Sequence, residues 1–380
     1  MPDHIIHINT SCSWGGLEQY TAQYIRELQR RGVENTAVVS AGTRLETDLR
    51  DAGIDVVRAH RNRHVSPVDI RTVRRYLKRH RDAIVHSHTR IDVWTGSLAT
   101  VGMDARHVNT LYMIAVDKHD PLHRFIYGHV DAIVSTSSVN NDAIRRGFPI
   151  PAERIRLIRY MRDPGTFSRD EDARRQLRQS WGVPDDVIVV GLACRIDPQK
   201  GVREFVEALS SLPVDVLERV LFVVVGEPTV ERIDDEGRPV HEAASAELYG
   251  WLRDQTQGSY GRYLRVMPFQ KNLAGVLSAF DVFVLASYGE MYALSVVEAM
   301  MCGLPVIGTD GGGTPEQLAD GRGLAIVSRS PRAIADAVTN YVRNPELRQE
   351  HARRGRAWAI AEHAPDAVME RWLSLYHSLL

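Results

Sequence analysis

Short runs of β-branched and aliphatic residues alternate with helical patterns throughout the chain. In the first half the strand candidates are Ile5–Ile8, Thr36–Ser40, Val56–Ala59, Ile84–His86, His107–Leu111, Ala132–Ser135 and Arg156–Ile158. Strands that alternate with helices are typical of βαβ units. This half of the chain therefore predicts a doubly wound, Rossmann-like α/β domain with a parallel sheet.

The second half repeats this plan, and its strand candidates are Val187–Leu192, Leu221–Val225, Leu264–Met267, Val282–Leu285, Pro305–Gly308 and Leu324–Val327. A polar stretch between Asp163 and Val187 predicts the domain boundary. We expect one domain over residues 1–165 and a second over 166–365, with a C-terminal helix at about 366–380 that packs back on the first. Because ligands of such domains bind at the carboxyl ends of the strands, we expect the two domains to face each other across a cleft.

Composition agrees with a globular protein of two domains. A chain of 380 residues, 44% hydrophobic and 25% charged, is long for a single core and too apolar for disorder. It has no apolar run of the roughly 20 residues that a membrane span needs, and its start lacks the pattern of a signal peptide. Three widely spaced cysteines, Cys12, Cys194 and Cys302, fit a reducing compartment. These features predict a cytoplasmic protein.

Charge is distributed unevenly along the chain. The first 165 residues contain 24 Lys and Arg against 18 Asp and Glu, and the remaining residues contain 23 against 30. This asymmetry indicates that the two halves face different partners. No basic segment is interleaved with aromatic residues as in RNA-binding motifs, so we expect no nucleic acid among those partners.

Two glutamates follow the buried strand Val282–Leu285. Glu290 falls in the loop, and Glu298 lies about one turn into the next helix. The backbone amides at the start of that helix, near Ala293 to Val296, are suited to a diphosphate, and a carboxylate beside them is suited to ribose hydroxyls. The alternative is a pair of solvated glutamates on an amphipathic turn.

A second motif places two cations in the turn after the strand Val187–Leu192. Arg195 and Lys200 lie in this turn, and Gly201 begins the next helix. Arginine offers phosphate a planar fork and lysine a mobile charge, so together they would neutralise a leaving diphosphate without a metal ion. The alternative is a surface turn whose charges cap a helix and contact water.

Together these motifs resemble those of the family-4 retaining glycosyltransferases, GT-B enzymes built from two Rossmann-like domains. That family pairs Arg and Lys before one helix with two glutamates, seven residues between them, at the start of a later helix. Glycine-rich segments extend the resemblance: Trp14–Glu18, Val225–Glu227, Gly303–Ile307 and Gly311–Glu316. The resemblance covers nearly the whole chain and is densest from about residue 188 to residue 327.

The resemblance implies a donor site in the second domain. Arg195 and Lys200 would hold the donor diphosphate, Glu298 the ribose and Glu290 the transferred sugar. Arg195, Lys200 and Glu290 are therefore the candidate catalytic residues. The rest of the implied donor site consists of Met291, Tyr292, Ala293 and Leu294, with residues 268–270 beside the base.

In the first domain the resemblance implies that Gly15 and Gly16 let the backbone approach the phosphates, because they carry no side chain. Two positions depart from the family pattern: Tyr292-Ala293 replaces Phe-Gly, and Tyr112 stands where a histidine near the sugar is expected. A phenol is a poor base near neutral pH. His88, at a neighbouring strand end, is a second candidate for a sugar or acceptor contact, with a structural histidine as the alternative.

A basic segment lies on the helix predicted to begin at Ser66-Pro67, and its cations are Arg71, Arg74, Arg75, Lys78, Arg79 and Arg81. One interpretation is peripheral contact with an anionic membrane. The other, which we favour, is a solvated helix that packs Ile70, Val73 and Leu77 into the core.

The predicted function is a hexosyltransferase-type glycosyltransferase without a cofactor or metal. We expect a UDP-sugar donor, with a GDP-sugar second, and a glycan, lipid-linked or small-molecule acceptor. No side chain in the motifs is placed as a nucleophile, which favours a front-face path with retention. The rival functions are another nucleotide-sugar enzyme, such as an epimerase or phosphorylase, a dinucleotide oxidoreductase and a non-catalytic sugar-binding protein. The oxidoreductase would carry Gly-x-Gly-x-x-Gly after the first strand, which Trp14–Leu17 lacks.

Overall fold

A computed structural model describes residues 4–60, 65–80, 82–112, 115–184, 186–233 and 238–380 of the chain. The chain divides into two compact units, residues 1–161 with 365–380 and residues 162–364. That residues 1–165 and 166–365 are two domains that fold separately stays a prediction. Among the helices described, none is both long and apolar enough to cross a bilayer.

The first unit contains a seven-stranded parallel sheet in the order β3-β2-β1-β4-β5-β6-β7. Its strands are β1 His4–Asn9, β2 Asn35–Ser40, β3 Asp55–Ala59, β4 Ala83–Ser87, β5 Arg106–Leu111, β6 Ala132–Ser135 and β7 Ile155–Leu157. The helices between them are α1 Gly16–Arg30, α2 Arg44–Asp51, α3 Pro67–Leu77, α4 Asp92–Thr100, α5 Pro121–Gly128 and α6 Ser138–Gly147. Strand β1 is buried along its whole length, as expected for a parallel sheet covered on both faces.

The second unit contains a six-stranded parallel sheet in the order β12-β9-β8-β13-β14-β15. Its strands are β8 Ile188–Ala193, β9 Val220–Val225, β12 Leu264–Met267, β13 Val282–Leu285, β14 Val306–Thr309 and β15 Gly323–Ile326. The helices are α7 Glu171–Ser180, α8 Val202–Glu207, α9 Val214–Leu217, α10 Ala243–Gln255, α11 Leu273–Ala279, α12 Leu294–Met301, α13 Thr314–Leu318, α14 Pro331–Arg343 and α15 Pro345–His363. Short 3₁₀ turns lie at residues 152–154, 198–200, 208–211 and 261–263.

Every strand that the sequence predicts is present, with its ends within one residue of the prediction. The prediction missed an antiparallel hairpin, formed by β10 Val230–Ile233 and β11 Pro239–His241. Its strands are short, and they include Glu231, Arg232 and Pro239, so they lack the β-branched run that marks the other strands.

The C-terminal helix, α16 Pro365–Leu379, belongs to the first unit. It buries Trp372 and Tyr376 in the core that surrounds β1 and α1. The Tyr376 hydroxyl lies 2.5 Å from the Tyr24 hydroxyl and 2.7 Å from His86 Nδ1. These contacts attach the end of the chain to the sheet with which it begins.

Candidate functional site

Two loops at the carboxyl end of the second sheet carry the predicted cation and carboxylate. Strands β8 and β13 are neighbours at the point where the strand order reverses, which is where α/β folds bind ligands. Lys200 follows β8 and Glu290 follows β13. Lys200 Nζ lies 2.5 Å from Glu290 Oε1, and each side chain is about a quarter exposed (23% and 24%). The structure therefore joins two residues that are 90 positions apart in the sequence.

A close backbone approach holds these loops together. Gly201 has φ +66°, and a Cβ atom there would lie 2.0 Å from the Ala286 carbonyl oxygen. In addition, the Tyr288 amide donates a hydrogen bond of 3.0 Å to the Gln199 carbonyl. Only glycine fits this contact, because a side chain would collide with the backbone of the facing loop.

A third loop, residues 311–313, supports Glu290 from the other side. The Gly313 amide donates to the Glu290 carbonyl at 2.7 Å. Gly312 has φ +65°, and a Cβ atom there would lie 2.1 Å from the same carbonyl oxygen. The position of Glu290 therefore depends on the glycine-rich turn that was noted in the sequence only as part of the family resemblance.

Glu298 lies in α12 and is 7% exposed. Its Oε1 accepts a hydrogen bond of 2.8 Å from Arg162 Nε. Arg162 is anchored in turn by its backbone amide, which donates to the His363 carbonyl at 2.7 Å. Sequence reasoning missed Arg162, because this arginine lies just before the polar boundary stretch and nothing local marks it as a partner of α12.

The start of α12 differs in detail from the prediction. The amide of Ala293 donates to Gln317 Oε1 at 3.3 Å, and that of Val296 donates to the Ala293 carbonyl at 3.2 Å. The amides of Leu294 and Ser295, in the first turn of α12, precede the intrahelical hydrogen bonds and are suited to an anion. Ala293 has φ −77°, so alanine replaces the family's glycine without backbone strain.

Met291 and Tyr292 of the same loop have different surroundings. The Tyr292 hydroxyl lies 2.8 Å from His363 Nε2 in the protein interior, so Tyr292 supports the loop from behind. Met291 is half-buried. A Cβ atom on Gly313 would lie 2.2 Å from the Met291 carbonyl oxygen, so this residue also contacts the glycine-rich turn.

Arg195 is exposed and lines a pocket of about 660 Å³. This pocket lies at the same edge of the second sheet as the Lys200–Glu290 pair. The other walls include Gly226, Phe269 and Gln270, so the segment expected beside the base shares this pocket with Arg195. Lys200 is not among the lining residues. The Cys194 thiol also lines the pocket, and burial raises its pKa to about 12.

In the first unit, Gly15 and Gly16 open α1 at the carboxyl end of β1. Gly15 is extended, with φ −114°, and its amide donates to Glu18 Oε2 at 2.7 Å. A Cβ atom on Gly16 would meet no atom within 4 Å, so the space at Gly16 is open.

The loop before these glycines is held by two residues that sequence reasoning missed. The Thr10 hydroxyl lies 2.5 Å from a carboxylate oxygen of the buried Asp92. Burial raises the pKa of Asp92 to about 6. An aspartate at a helix start is common as a cap, so the sequence carries no signal for this contact.

His88 is fully buried, and both of its ring nitrogens have partners. Its Nε2 lies 3.0 Å from His7 Nδ1, and its Nδ1 lies 3.2 Å from the Tyr112 hydroxyl. Burial holds the pKa of His88 well below its usual value and that of Tyr112 well above. This geometry favours the structural alternative for His88, while Tyr112 is only half-buried.

Helix α3 carries the basic segment, and Ser66 caps it by accepting from the Asp69 amide. Its apolar face is occupied, because Val73 and Leu77 are buried in the core. Arg74 donates to the Val101 carbonyl, and Arg81 lies outside the described residues. Among the described residues, Val68 is the large apolar side chain of α3 that stays exposed, so a membrane would contact mainly the exposed cations of the helix.

Comparison with known proteins agrees with this geometry. A family model described as "Glycosyl transferases group 1" matches residues 173–358, and one described as "Glycosyl transferase 4-like domain" matches residues 15–161. The alpha-maltose-1-phosphate synthase of Mycolicibacterium smegmatis is 27% identical over 78% of this chain and 79% of its own length. A D-inositol 3-phosphate glycosyltransferase of Nocardioides is 26% identical over 71% and 61%.

A solved structure shares the fold. The crystal structure of Anabaena HepE in complex with UDP has a TM-score of 0.81 and 18% identity over 99% of this chain and all of that one. The protein is thus a two-domain α/β enzyme of GT-B type. More particularly, the chain belongs to the GT4-type group 1 glycosyltransferases. The family, the fold class and the type of reaction predicted from the sequence are confirmed.

Proposed function

We propose that this enzyme transfers a sugar from a UDP-sugar to an acceptor hydroxyl with retention of configuration and without a metal ion. The observation that carries the proposal is the Lys200–Glu290 pair at the carboxyl edge of the second sheet. Both side chains are partly exposed, so a bound donor can reach them. The diphosphate would then contact the Lys200 ammonium, while Glu290 accepts hydrogen bonds from sugar hydroxyls.

Stabilisation of the leaving diphosphate is the main catalytic effect on this proposal. Lys200, Arg195 and the amides that begin α12 supply positive charge without a metal. The acceptor oxygen forms its bond to the anomeric carbon as the bond to the diphosphate breaks. The acceptor proton passes to a phosphate oxygen of the leaving group.

Retention follows from the choice of path. Glu290 is engaged by Lys200, and the Cys194 thiol stays protonated because burial raises its pKa to about 12. Neither group is therefore set up to attack the anomeric carbon from behind. We infer a front-face reaction, in which the acceptor approaches on the side that the diphosphate leaves.

The pocket lined by Arg195, Phe269 and Gln270 is the proposed base site. Phe269 is 61% exposed, which leaves its ring available to stack on a base. UDP is the proposed nucleotide, with GDP second, since HepE has been crystallised with UDP and with UDP-glucose.

The acceptor class and the location are parts of the same proposal. The acceptor is a glycan, a lipid-linked molecule or a small molecule with a free hydroxyl. We place the enzyme in the cytoplasm, where nucleotide sugars would reach it. Peripheral contact with the inner face of an anionic membrane would rest mainly on the exposed cations of α3.

Donor binding can be measured by thermal stabilisation in EDTA with UDP-, GDP-, ADP- and TDP-glucose. Wild type should be stabilised by the UDP-sugar, because a ligand at 100 times its Kd adds about 2.7 kcal/mol to the free energy of unfolding. Glu298→Gln should lose most of the shift, since its carboxylate contacts the ribose on this proposal. Glu350→Gln is the matched control, because Glu350 is also paired with arginines, Arg353 and Arg354. No shift with any nucleotide sugar, or a shift only after a divalent ion is added, would contradict the proposal.

A further inference from the structure

Three metal-ligating side chains meet at the amino edge of the first sheet, opposite the edge that carries Gly15 and Tyr112. His4 begins β1, Glu34 directly precedes β2, and His80 lies three residues before β4. Strand β1 lies between β2 and β4, so parallel pairing brings the three side chains together. One potential ligand atom from each lies within 4.8 Å of the others.

The hydrogen bonds behind His4 determine its tautomer. His4 Nε2 lies 2.8 Å from the Thr36 hydroxyl oxygen, and that hydroxyl donates to Asp55 Oδ2 at 2.9 Å. Threonine has one hydroxyl hydrogen, and Asp55 receives it. Thr36 can therefore only accept from His4, which places the proton of the imidazole on Nε2 and leaves a lone pair on Nδ1.

That lone pair faces another acceptor. His4 is only 6% exposed, and its Nδ1 has no hydrogen-bond partner among the described residues. Glu34 Oε2 lies 3.5 Å from this nitrogen. A lone pair and a carboxylate oxygen repel each other in this arrangement, and a cation between them would be attracted to both.

The second imidazole is adjacent. The His80 ring is stacked on the His4 ring, with centroids 4.1 Å apart and planes inclined by 22°. His80 lies in the segment that joins α3 to β4. Its ring makes no hydrogen bond to the described residues. A turn of this ring about its side-chain bonds would direct a nitrogen toward the space between His4 and Glu34.

We infer that His4 Nδ1, a ring nitrogen of His80 and the Glu34 carboxylate form a binding site for a divalent transition-metal ion, with Zn²⁺ as the best match. Two imidazoles and one carboxylate are ligands that Zn²⁺ favours, with water in the fourth position. The Thr36–Asp55 chain supplies the outer hydrogen bonds that orient a ligating histidine. A pocket of about 370 Å³, lined by His4, Glu34 and Asp55 among others, provides room for the water.

The site is independent of the proposed transferase chemistry. Its ligands come from the starts of three neighbouring strands, so a bound ion would link β1, β2 and β4 and stabilise the first unit. The other histidine cluster of the described residues, His7, His86 and His88, offers no comparable site. Each ring nitrogen of that buried cluster already has a hydrogen-bond partner.

The test uses the untagged full-length protein, stripped with EDTA and titrated with Zn²⁺ by calorimetry at pH 7.5. We expect one equivalent to bind at micromolar Zn²⁺ and to raise the melting temperature. His80→Ala and Glu34→Gln should each weaken binding at least about tenfold, as ligand-shell mutations commonly do. Co²⁺ should show visible absorption of a low-coordinate site in wild type, and these variants should lose it.

His119→Ala is the matched control, because His119 is an exposed histidine of the same unit outside the cluster, and its affinity for Zn²⁺ should equal that of wild type. Glu34 is exposed and His80 only half-buried, so both test variants should keep the wild-type circular dichroism. Equal Zn²⁺ affinity in wild type, His80→Ala and Glu34→Gln would overturn the inference. Absence of Zn²⁺ binding to wild type would do the same, and would indicate a protonated His4 paired with Glu34.

Discussion

At the scale of single residues, the site depends on pairs of opposite charge that are distant in sequence. Lys200 is held by Glu290, and Glu298 is held by Arg162. Each pair fixes a side chain that would otherwise be mobile, so the donor meets groups already in position. The residue types were predictable from the motifs, but the partners were not, because neither pair lies within one element.

Removal of the Lys200 ammonium is the sharpest test of catalysis at this scale. We expect Lys200→Ala to lower kcat about 10²- to 10³-fold, the usual cost of removing one group that stabilises developing negative charge. The fold should survive, because Lys200 is a partly exposed residue of a turn. Steady-state kinetics with the donor identified by thermal shift would measure the effect.

Arg332→Ala serves as the control for Lys200→Ala, since it removes an exposed cation that is also ion-paired, with Asp336 in α14. Its kcat should match that of wild type. Near-normal turnover of Lys200→Ala would show that the diphosphate is stabilised elsewhere.

At the scale of elements, glycines without room for a Cβ atom connect the loops that follow β8, β13 and β14. Gly201 touches the loop after β13, and residues 311–313 touch it from the side of β14. The sequence marked Gly201 as the start of a helix and residues 311–313 as part of a glycine-rich segment. Their need for glycine comes from the facing backbone, which lies about 85 residues away for Gly201 and about 20 for Gly312.

Gly312→Ala and Gly182→Ala form a matched pair that separates close packing from backbone strain. Both glycines have nearly the same φ, +65° and +67°, but a Cβ atom on Gly182 meets no atom within 4 Å. Gly182→Ala should therefore cost only about 1–2 kcal/mol in the free energy of unfolding. Gly312→Ala should cost about 1–3 kcal/mol more, because its methyl group collides with the Glu290 carbonyl.

Denaturant unfolding and kinetics would compare the two variants. Gly312→Ala should also lower kcat/KM, since Glu290 must move, whereas Gly182→Ala should leave it unchanged. Equal stability and equal kcat/KM in the two variants would refute the role assigned to the glycine-rich turn.

At the scale of the whole molecule, the buried histidines of the first sheet should make the protein sensitive to acid. The first sheet buries His7, His86, His88 and His107, and burial lowers the pKa of each, to about 3 for His7 and His107. A histidine whose folded pKa lies below its unfolded value of about 6.5 takes up its proton on unfolding. The stability contribution is therefore complete above pH 6.5 and is lost as the pH falls toward the folded pKa.

We expect the first unit to lose stability steeply below pH 6.5. Each of the four histidines contributes up to about 1.4 kcal/mol per pH unit, and Asp92, with a pKa raised to about 6, opposes them in part. Since domains are stable by only about 5–15 kcal/mol, unfolding should occur within about two to three pH units. Melting temperatures by circular dichroism between pH 8 and pH 4 would measure this, with return to pH 7 as the control for reversibility. A constant melting temperature from pH 7 to pH 5 would contradict it.

Much of the fold was predictable from the sequence, because β-branched runs and helical spacing are local properties. The strands were placed within one residue, and Ser66 and Pro67 correctly marked the start of α3. Gln317 shows where prediction stopped. Its side chain accepts a hydrogen bond from the amide of Ala293 and donates one to the carbonyl of Ala293. No spacing of residue types in the sequence predicts this pair of hydrogen bonds.

By itself, the sequence determined the alternation of strands and helices, the two Rossmann-like halves and the motifs that identify a glycosyltransferase. These features depend on residue types at short spacing. Only the tertiary structure decided that Lys200 contacts Glu290, that Arg162 contacts Glu298, and that the His4 ring stacks on the His80 ring. Such contacts depend on strand order and register, which bring together side chains tens of residues apart.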